Sequence, residues 1–316
     1  MMTKIINILK DADGLVSGEE LSRWLGITRS AVWKHVEDLR AAGYGIEALP
    51  RLGYRLVDVP DLVSAAEVQR GLGTVKFGSR VVHFPVVDST MNEAFSLALE
   101  GAPEGTVVVA ETQTKGRGRL GRAWSSPKGK GLYFSVILRP PCAPSDAARL
   151  TLLAAVAVSE GIENNVGVRA LIKWPNDLLV NDRKLCGILT ELNAEVDRVN
   201  FVIVGIGLNV NTVPSQLLPE ATSLRIVQGK TVSRVSLLQE ILRVFESRYQ
   251  AMLKDGYGDA LAEWRMRSAL DGRTVRFAER GREIVGTAVG LHDDGGLLVR
   301  LADGSTVKRM AGDIRI

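Results

Sequence analysis

Residues Thr112–Gly131 read TQTKGRGRLGRAWSSPKGKG, with five glycines (Gly116, Gly118, Gly121, Gly129, Gly131) and six cations (Lys115, Arg117, Arg119, Arg122, Lys128, Lys130). No acid occurs from Thr112 to Arg139. Glycine lets a backbone take φ > 0 and approach a ligand closely. Arginine presents a planar fork that matches carboxylate or phosphate. Such a segment is suited to hold an anion and to fold around it. By itself it is more often a mobile linker or a nonspecific RNA contact, so its company along the chain decides.

To either side, β-rich runs alternate with helical patterns. The runs Val81–Val87, Thr106–Ala110, Leu132–Leu138, Ala170–Ile172, Lys184–Leu192 and Phe201–Val210 read as strands, and Met91–Glu100, Ala147–Asn164 and Val232–Ala269 as helical stretches. This predicts a mixed α/β domain over 63–270, its sheet covered by helices. From Asp271 to Ile316 short Val-rich strands alternate with turns at Asp293–Gly296 and Asp303–Gly304, predicting a small SH3-like β-barrel over 271–316.

Upstream, residues 1–60 read as a winged helix-turn-helix. Ile5, Ile6, Ile8 and Leu9 give a first helix its apolar face. Ser17 and Glu20 form a capping box for a second, with Leu21, Trp24 and Leu25 facing inward. Thr28 caps a third whose inner positions are Val32, Val36 and Leu39, and Gly43 and Gly45 end it. Two short strands around Arg51–Gly53 make the wing, and Val57–Leu62 the linker. Arg29, Ser30, Trp33 and Lys34 then lie where a reading helix meets DNA, with Arg51 and Arg55 on the wing. Eight cations and eight acids in residues 1–58 leave the module neutral overall, so a protein-contact module is the competing reading. The chain is α+β as a whole.

The 316 residues are 46% hydrophobic and 24% charged, as in a globular protein with a full core. A net charge of +4 argues against a wholesale nucleic-acid coat. Two cysteines, Cys142 and Cys186, make neither a disulfide framework nor a Cys-based zinc site and fit a reducing compartment. Without a signal peptide or a membrane-length apolar run, the expectation is a cytoplasmic protein.

Four further motifs carry chemistry. Asp88-Ser-Thr-Met-Asn92 ends a strand and opens a helix, either a seat for a carbonyl or anion or an ordinary cap. Lys173-Trp-Pro-Asn-Asp177 projects Asn176 and Asp177 from a strand end, toward Mg²⁺, an incoming amine or an Asx turn. Arg183-Lys-Leu-Cys-Gly187 offers Lys184 and a close backbone approach at Gly187. Gly205-Ile-Gly-Leu-Asn209 is a bulge or a ligand wall. No P-loop is present, nor a Gly-rich dinucleotide fingerprint between strand and helix with an acidic partner. The scattered His35, His83 and His292 suggest no transition-metal site, and no Ser-His-Asp set stands out.

In order and spacing these motifs resemble the biotin–protein ligase family, and the N-terminal module makes the chain similar to the bifunctional form that is also the biotin operon repressor. The resemblance spans nearly the whole chain; Met91 and Leu120 are departures, standing where some members carry a polar residue and an arginine. It implies formation of biotinyl-5′-AMP from biotin and ATP with Mg²⁺. Transfer then follows to a lysine of a biotin carboxyl carrier domain of acetyl-CoA carboxylase or a related carboxylase. It further implies operator DNA binding with the adenylate as corepressor, through a homodimer formed on adenylate binding.

The resemblance places biotin against Ser89, Thr90, Met91, Gln113, Gly116, Arg117, Gly118, Arg119, Lys184 and Gly187. It places ATP and the adenylate against Arg117, Arg119, Arg122, Trp124, Asn176, Lys184 and Asn209, with Trp124 packing on the adenine. Lys184, Arg119 and Asp177 are the catalytic candidates, with Asp177 a ligand for Mg²⁺. The dimer surface is expected at Lys184–Leu192 and near Asn209–Asn211. A monofunctional ligase with a degenerate N-terminal module, a non-catalytic biotin-sensing transcription factor and a lipoate or octanoyl ligase are the alternatives.

Overall fold

A computed structural model describes residues 1–279 and 282–316. The N-terminal module holds α1 (Met2–Asp11), α2 (Gly18–Leu25), α3 (Arg29–Ala41) and the hairpin β1 (Gly45–Leu49) and β2 (Gly53–Asp58). The capping box forms as the sequence requires, the Ser17 hydroxyl accepting from Glu20 N and the Glu20 carboxylate from Ser17 N. Ile5, Ile6, Leu9, Leu21, Val32, Val36 and Leu39 close one core. Trp24 does not join it. Its side chain is 55% exposed, as is Trp33 at 58%, because a helix of two turns turns only one narrow face inward and Leu21 fills it. Gly45 starts β1 rather than ending α3, and since β2 runs to Asp58, the linker starts later than Val57.

After the short α4 (Ala65–Gln69) comes the central sheet. Its strands are β3 (Val81–Phe84), β4 (Val107–Ala110), β5 (Gly131–Leu138), β6 (Leu171–Lys173), β7 (Asp177–Val180), β8 (Arg183–Ala194) and β9 (Val199–Asn209), in the spatial order β3-β4-β5-β9-β8-β7-β6. Only β3 and β4 run parallel. Strand β6 ends at Lys173, the first residue of the Lys173–Asp177 motif, and β7, which no sequence run marked, starts at Asp177, its last. Asn181 and Asp182, both at positive φ, join it to β8 by a two-residue hairpin, a turn that favours these residue types.

The period-2 alternation of a strand assigns the faces. Val107, Val109, Val136, Val202 and Val204 face α6 (Ala147–Val166), α8 (Arg234–Asp255) and α9 (Gly258–Met266). Val108, Ile137, Phe201 and Ile203 face α5 (Thr90–Leu99). The single helical stretch expected over 232–269 is broken by Gly256, at φ 80°. A short α7 (Leu224–Gln228) precedes α8.

The C-terminal domain is an antiparallel meander of β10 (Thr274–Glu279), β11 (Arg282–Leu291), β12 (Leu297–Arg300) and β13 (Thr306–Arg309), with turns at both predicted places. The chain end bridges back to its first strand at Arg315 and Arg276. Among the described residues no helix is long and apolar enough to cross a membrane.

Candidate active site

On the face that α5 covers, β9 presents Phe201, Ile203, Gly205 and Gly207 in turn. The bulky pair packs under α5 and the glycines continue past its N-terminus, so the sheet drops to bare backbone there. Gly207 stands opposite Gly187 of β8, and Gly205 opposite Ser135 of β5. The ladder runs through both β9 glycines without a register shift, so no bulge forms there. Two side chains lie on this floor. A Cβ built on Gly207 would stand 2.5 Å from Cε2 of Trp124, and one on Gly187 3.0 Å from its Cζ3. A Cβ on Gly205 would stand 2.6 Å from Sδ of Met91. Trp124 thus lies on the glycine floor, with its indole N–H buried and unpartnered.

The glycine-rich loop closes over this end of the sheet. It starts from Asp88, whose main-chain oxygen accepts from Lys115 N (2.8 Å) and whose carboxylate takes the Thr114 hydroxyl (2.7 Å) and Lys115 Nζ (2.8 Å). Within it, Gly118 N donates to Arg122 O (2.7 Å) and Trp124 N to Gly116 O (2.8 Å). Gly116 leaves no room for a side chain, a Cβ there falling 2.4 Å from Trp124 O. At the tip Leu120 takes φ 56° and is exposed.

Ser89 caps α5, accepting from Met91 N (3.3 Å). Thr90 donates its N–H (2.9 Å) and hydroxyl (3.2 Å) to Gln113 Oε1, and Gln113 Nε2 donates to Ser126 Oγ (3.0 Å). Ser135 Oγ donates to the Thr90 hydroxyl (2.9 Å). Gln113 therefore ties the helix start to the far side of the loop. Ser126 and Ser135, not singled out in the sequence, complete the chain of bonds. No short-range pattern marks them, because the topology alone brings them to Thr90 and Gln113.

Four of the cations, Lys184, Arg117, Arg119 and Arg122, find internal carboxylates. Lys184 Nζ pairs with Asp177 (2.7 Å) and stands 5.5 Å from the Trp124 ring centroid. Arg117 pairs with Glu191 (2.9 Å). Arg119 donates to Asn176 Oδ1 (3.1 Å) and lies 3.8 Å from Asp313, which also pairs with Arg122. Burial is the chief cause holding the Arg119 guanidinium below its ordinary pKa, and the Asp177 carboxylate opposes it. Burial likewise lowers the pKa of Lys173. Asp177 opposes that shift, while Lys184, Arg122 and Arg273 add to it. Lys173, the last residue of β6, is therefore a further cation of the cluster, one to which the sequence reading gave no role. These cations outnumber the carboxylates paired with them, and the local potential favours anions.

Residues 83–209 match the Biotin/lipoate A/B protein ligase family, residues 2–55 an HTH domain and residues 272–315 the Biotin protein ligase C terminal domain. The bifunctional ligase/repressor BirA of Bacillus subtilis is 43% identical over 293 residues, spanning 92% of this chain and 90% of its own. The chain belongs to the biotin protein ligase family. BirA of Escherichia coli is 30% identical over 99% of this chain and 96% of its own. The biotin protein ligase of Aquifex aeolicus, solved in complex with biotin and ATP, superposes with a TM-score of 0.65 at 30% identity, over 75% of this chain and 98% of that one.

Some residues of the ligase sit differently from the sequence reading. Asn176 is occupied as a brace, its Nδ2 donating to Ile188 O (2.9 Å) while Oδ1 accepts from Arg119. Asn209 is buried opposite Gly131 at the end of β9, and Asn211 is buried beyond it, so the edge near 209–211 offers no surface. On the N-terminal module Arg29, Ser30, Trp33, Lys34 and Arg51 are exposed together with Arg55, but Arg55 is paired with Glu47 (2.6 Å).

Proposed function

We propose that this chain activates biotin as biotinyl-5′-AMP, transfers biotin to a lysine of a carboxyl carrier domain, and represses biotin synthesis genes with the adenylate as corepressor. Residues 1–60 would bind DNA, 63–270 would carry the reaction and 271–316 would be the small β-domain packed beside the site. The observation that carries this reading is the glycine floor of Gly187, Gly205 and Gly207 beneath a loop of arginines, with Lys184 beside it.

A biotin carboxylate oxygen attacks the α-phosphorus of ATP, and the bond to the bridging oxygen breaks to release pyrophosphate. One anion must approach a polyanion, and at about 4 Å with an effective dielectric of about 20 each like-charge pair costs about 4 kcal/mol. Arg117, Arg119, Arg122 and Lys184 offset this repulsion. Lys184 is the point charge shared by the carboxylate and the α-phosphate, and Lys173 supports it. In the second step the carrier amine attacks the acyl carbon, AMP leaves and the amine loses its proton. No covalent enzyme intermediate is needed, so positioning and charge stabilisation supply the catalysis. Ser89, Thr90, Gln113 and the main chain of the loop would hold the ring system of biotin over the glycines.

Trp124 lies on that floor, so its indole would have to shift for the ring of biotin to take its place and for itself to pack on the adenine. Asp177 would hold the Mg²⁺ of Mg-ATP, which would supply neutralisation of phosphate charge. Lys184 holds Asp177 until the nucleotide arrives.

Filling the loop with the adenylate replaces its internal carboxylate partners and orders it for homodimerisation. Beyond the end of β7, Leu189–Ala194 pairs only with β9 among the described residues, which supports the expected surface on β8. A dimer presents two α3 helices to a two-fold related operator.

Incubation with biotin and Mg-ATP followed by mass spectrometry tests the chemistry, and biotinyl-5′-AMP with released pyrophosphate is expected. A gel shift on DNA upstream of the biotin synthesis genes tests the repressor half. A shift that requires biotin and ATP is expected, and its absence while adenylate forms leaves a monofunctional ligase.

A further inference from the structure

The linker leaving the winged helix is fastened to both ends of the glycine-rich loop by one side chain. Arg234, 2% exposed, opens α8. Its backbone N–H donates to Asp61 Oδ1 (2.8 Å), its Nε to Asp61 Oδ2 (2.9 Å) and its Nη2 to the Asp61 main-chain oxygen. Its Nη1 donates to Glu111 Oε2 (2.8 Å) and to Gly131 O (3.3 Å). Glu111 immediately precedes Thr112, and Gly131 is the last residue of the loop.

Glu111 returns the bond to the linker, its Oε1 accepting from Val63 N (3.0 Å), and its main-chain oxygen accepts from Gly129 N (3.0 Å). Asn211 makes the loop's second stem firmer still. Its N–H donates to Lys130 O (2.5 Å), and its side chain exchanges two bonds with Val232, just before α8. The winged helix in turn rides on the segment that follows the linker. Buried Glu67 of α4 accepts from Lys10 Nζ and from the Tyr44 hydroxyl (2.7 Å), and Arg70 pairs with Asp11.

None of these groups touches the glycine floor, so the reaction itself leaves them unexplained. A buried guanidinium that loses a carboxylate partner is left with uncompensated charge, so linker, Glu111 and loop stems hold together or come apart together. We propose that Arg234, with Glu111 and Asp61, positions both stems of the glycine-rich loop and ties the order of that loop to the seating of the interdomain linker. Coupling of this kind is reciprocal. A seated linker narrows the loop's ensemble and slows escape of the adenylate, and a filled loop holds the linker and the winged helix in one orientation. The proposal rests on the reading of the loop as the adenylate site.

Asp61→Ala tests it in the full chain, since Glu111 and the main-chain oxygen of residue 61 remain to the Arg234 guanidinium. Hydrogen exchange followed by mass spectrometry is measured without ligand, and release of biotinyl-5′-AMP is timed by chase with unlabelled adenylate. The expected result is faster exchange at 62–63 together with 112–114 and 129–131, unchanged exchange in α6, and adenylate release faster by about fivefold or more.

Faster exchange confined to the linker, with loop exchange and adenylate release as in the wild type, overturns the proposal. So does no change at either place, and so does a uniform rise along the chain with a lowered melting temperature, which marks a merely structural residue. If the wild-type chain itself retains no adenylate, the functional reading falls, and the exchange of the loop stems still decides the mechanical tie.

Discussion

Gly207→Ala places a methyl group where the ligand ring is expected to lie, and its cost can be worked from the fold. The new Cβ would stand 2.5 Å from Cε2 and 2.6 Å from Nε1 of Trp124, against an ordinary contact of 3.4–4 Å. One of the two must yield by about 1 Å, and the strand cannot, since Gly207 is laddered to Tyr133 on one side and Gly187 on the other. In the variant without ligand the indole is expected to give way to the methyl. With biotin bound, the ring has no such retreat, and the methyl takes its volume. Overpacking of this kind costs about 1–3 kcal/mol, which at about 1.4 kcal/mol per decade is a roughly 5- to 150-fold loss of biotin affinity.

Isothermal titration calorimetry on the full chain measures it, with a melting curve to show that the variant is folded. Gly205→Ala is the internal comparison. Its Cβ meets Cγ and Sδ of Met91, both at 2.6 Å, and a flexible thioether moves at less cost than an indole, so the loss should be smaller. Wild-type affinity for biotin in Gly207→Ala would refute the glycine floor as the binding surface.

Lys184→Ala should abolish adenylate formation more than it slows transfer from supplied biotinyl-5′-AMP; unimpaired formation in a pyrophosphate-release assay removes Lys184 from the chemistry. Arg119→Ala should let the adenylate leak faster and label bystander lysines, whereas tight retention contradicts its role as a phosphate clamp. Burial alone would raise the Glu111 carboxyl, but the His83 imidazole and the Arg234 guanidinium outweigh it and hold it below its ordinary 4.5. A depressed carboxyl stabilises the fold above its unfolded value and loses that contribution as pH falls through its folded value. The part of acid unfolding that sets in below about pH 4.5 should therefore be smaller in Glu111→Gln, measured as the difference in melting temperature between pH 7 and pH 4.

Much of the architecture is legible in the sequence because it rests on local rules. The capping box of Ser17 and Glu20, the Thr28 cap and the Asn181-Asp182 hairpin are short-range, and the residues that make them are strongly biased. The large alternating strands are legible for the same reason. Trp24 misled because an aromatic at a helical spacing is read as core, while a two-turn helix had already filled its inward face with Leu21.

The site was legible only as a set of motifs. That Gly187, Gly205 and Gly207 form one floor depends on the register of β8 and β9, which no local pattern encodes. The partners of the arginines were hidden for a related reason. Glu191 lies 74 residues from Arg117, and Asp313 belongs to another domain, so the acid-free stretch looks unneutralised in sequence although the fold surrounds it with carboxylates. Arg234 gave no signal, being one arginine at the start of an otherwise ordinary helix.

The most direct measurement mixes the purified chain with biotin, Mg-ATP and a biotin carboxyl carrier domain, and follows biotin on the carrier by streptavidin blot. Label is expected on the carrier's acceptor lysine, dependent on ATP and lost in Lys184→Ala. A carrier that stays unlabelled while a known biotin protein ligase labels the same preparation would contradict that expectation.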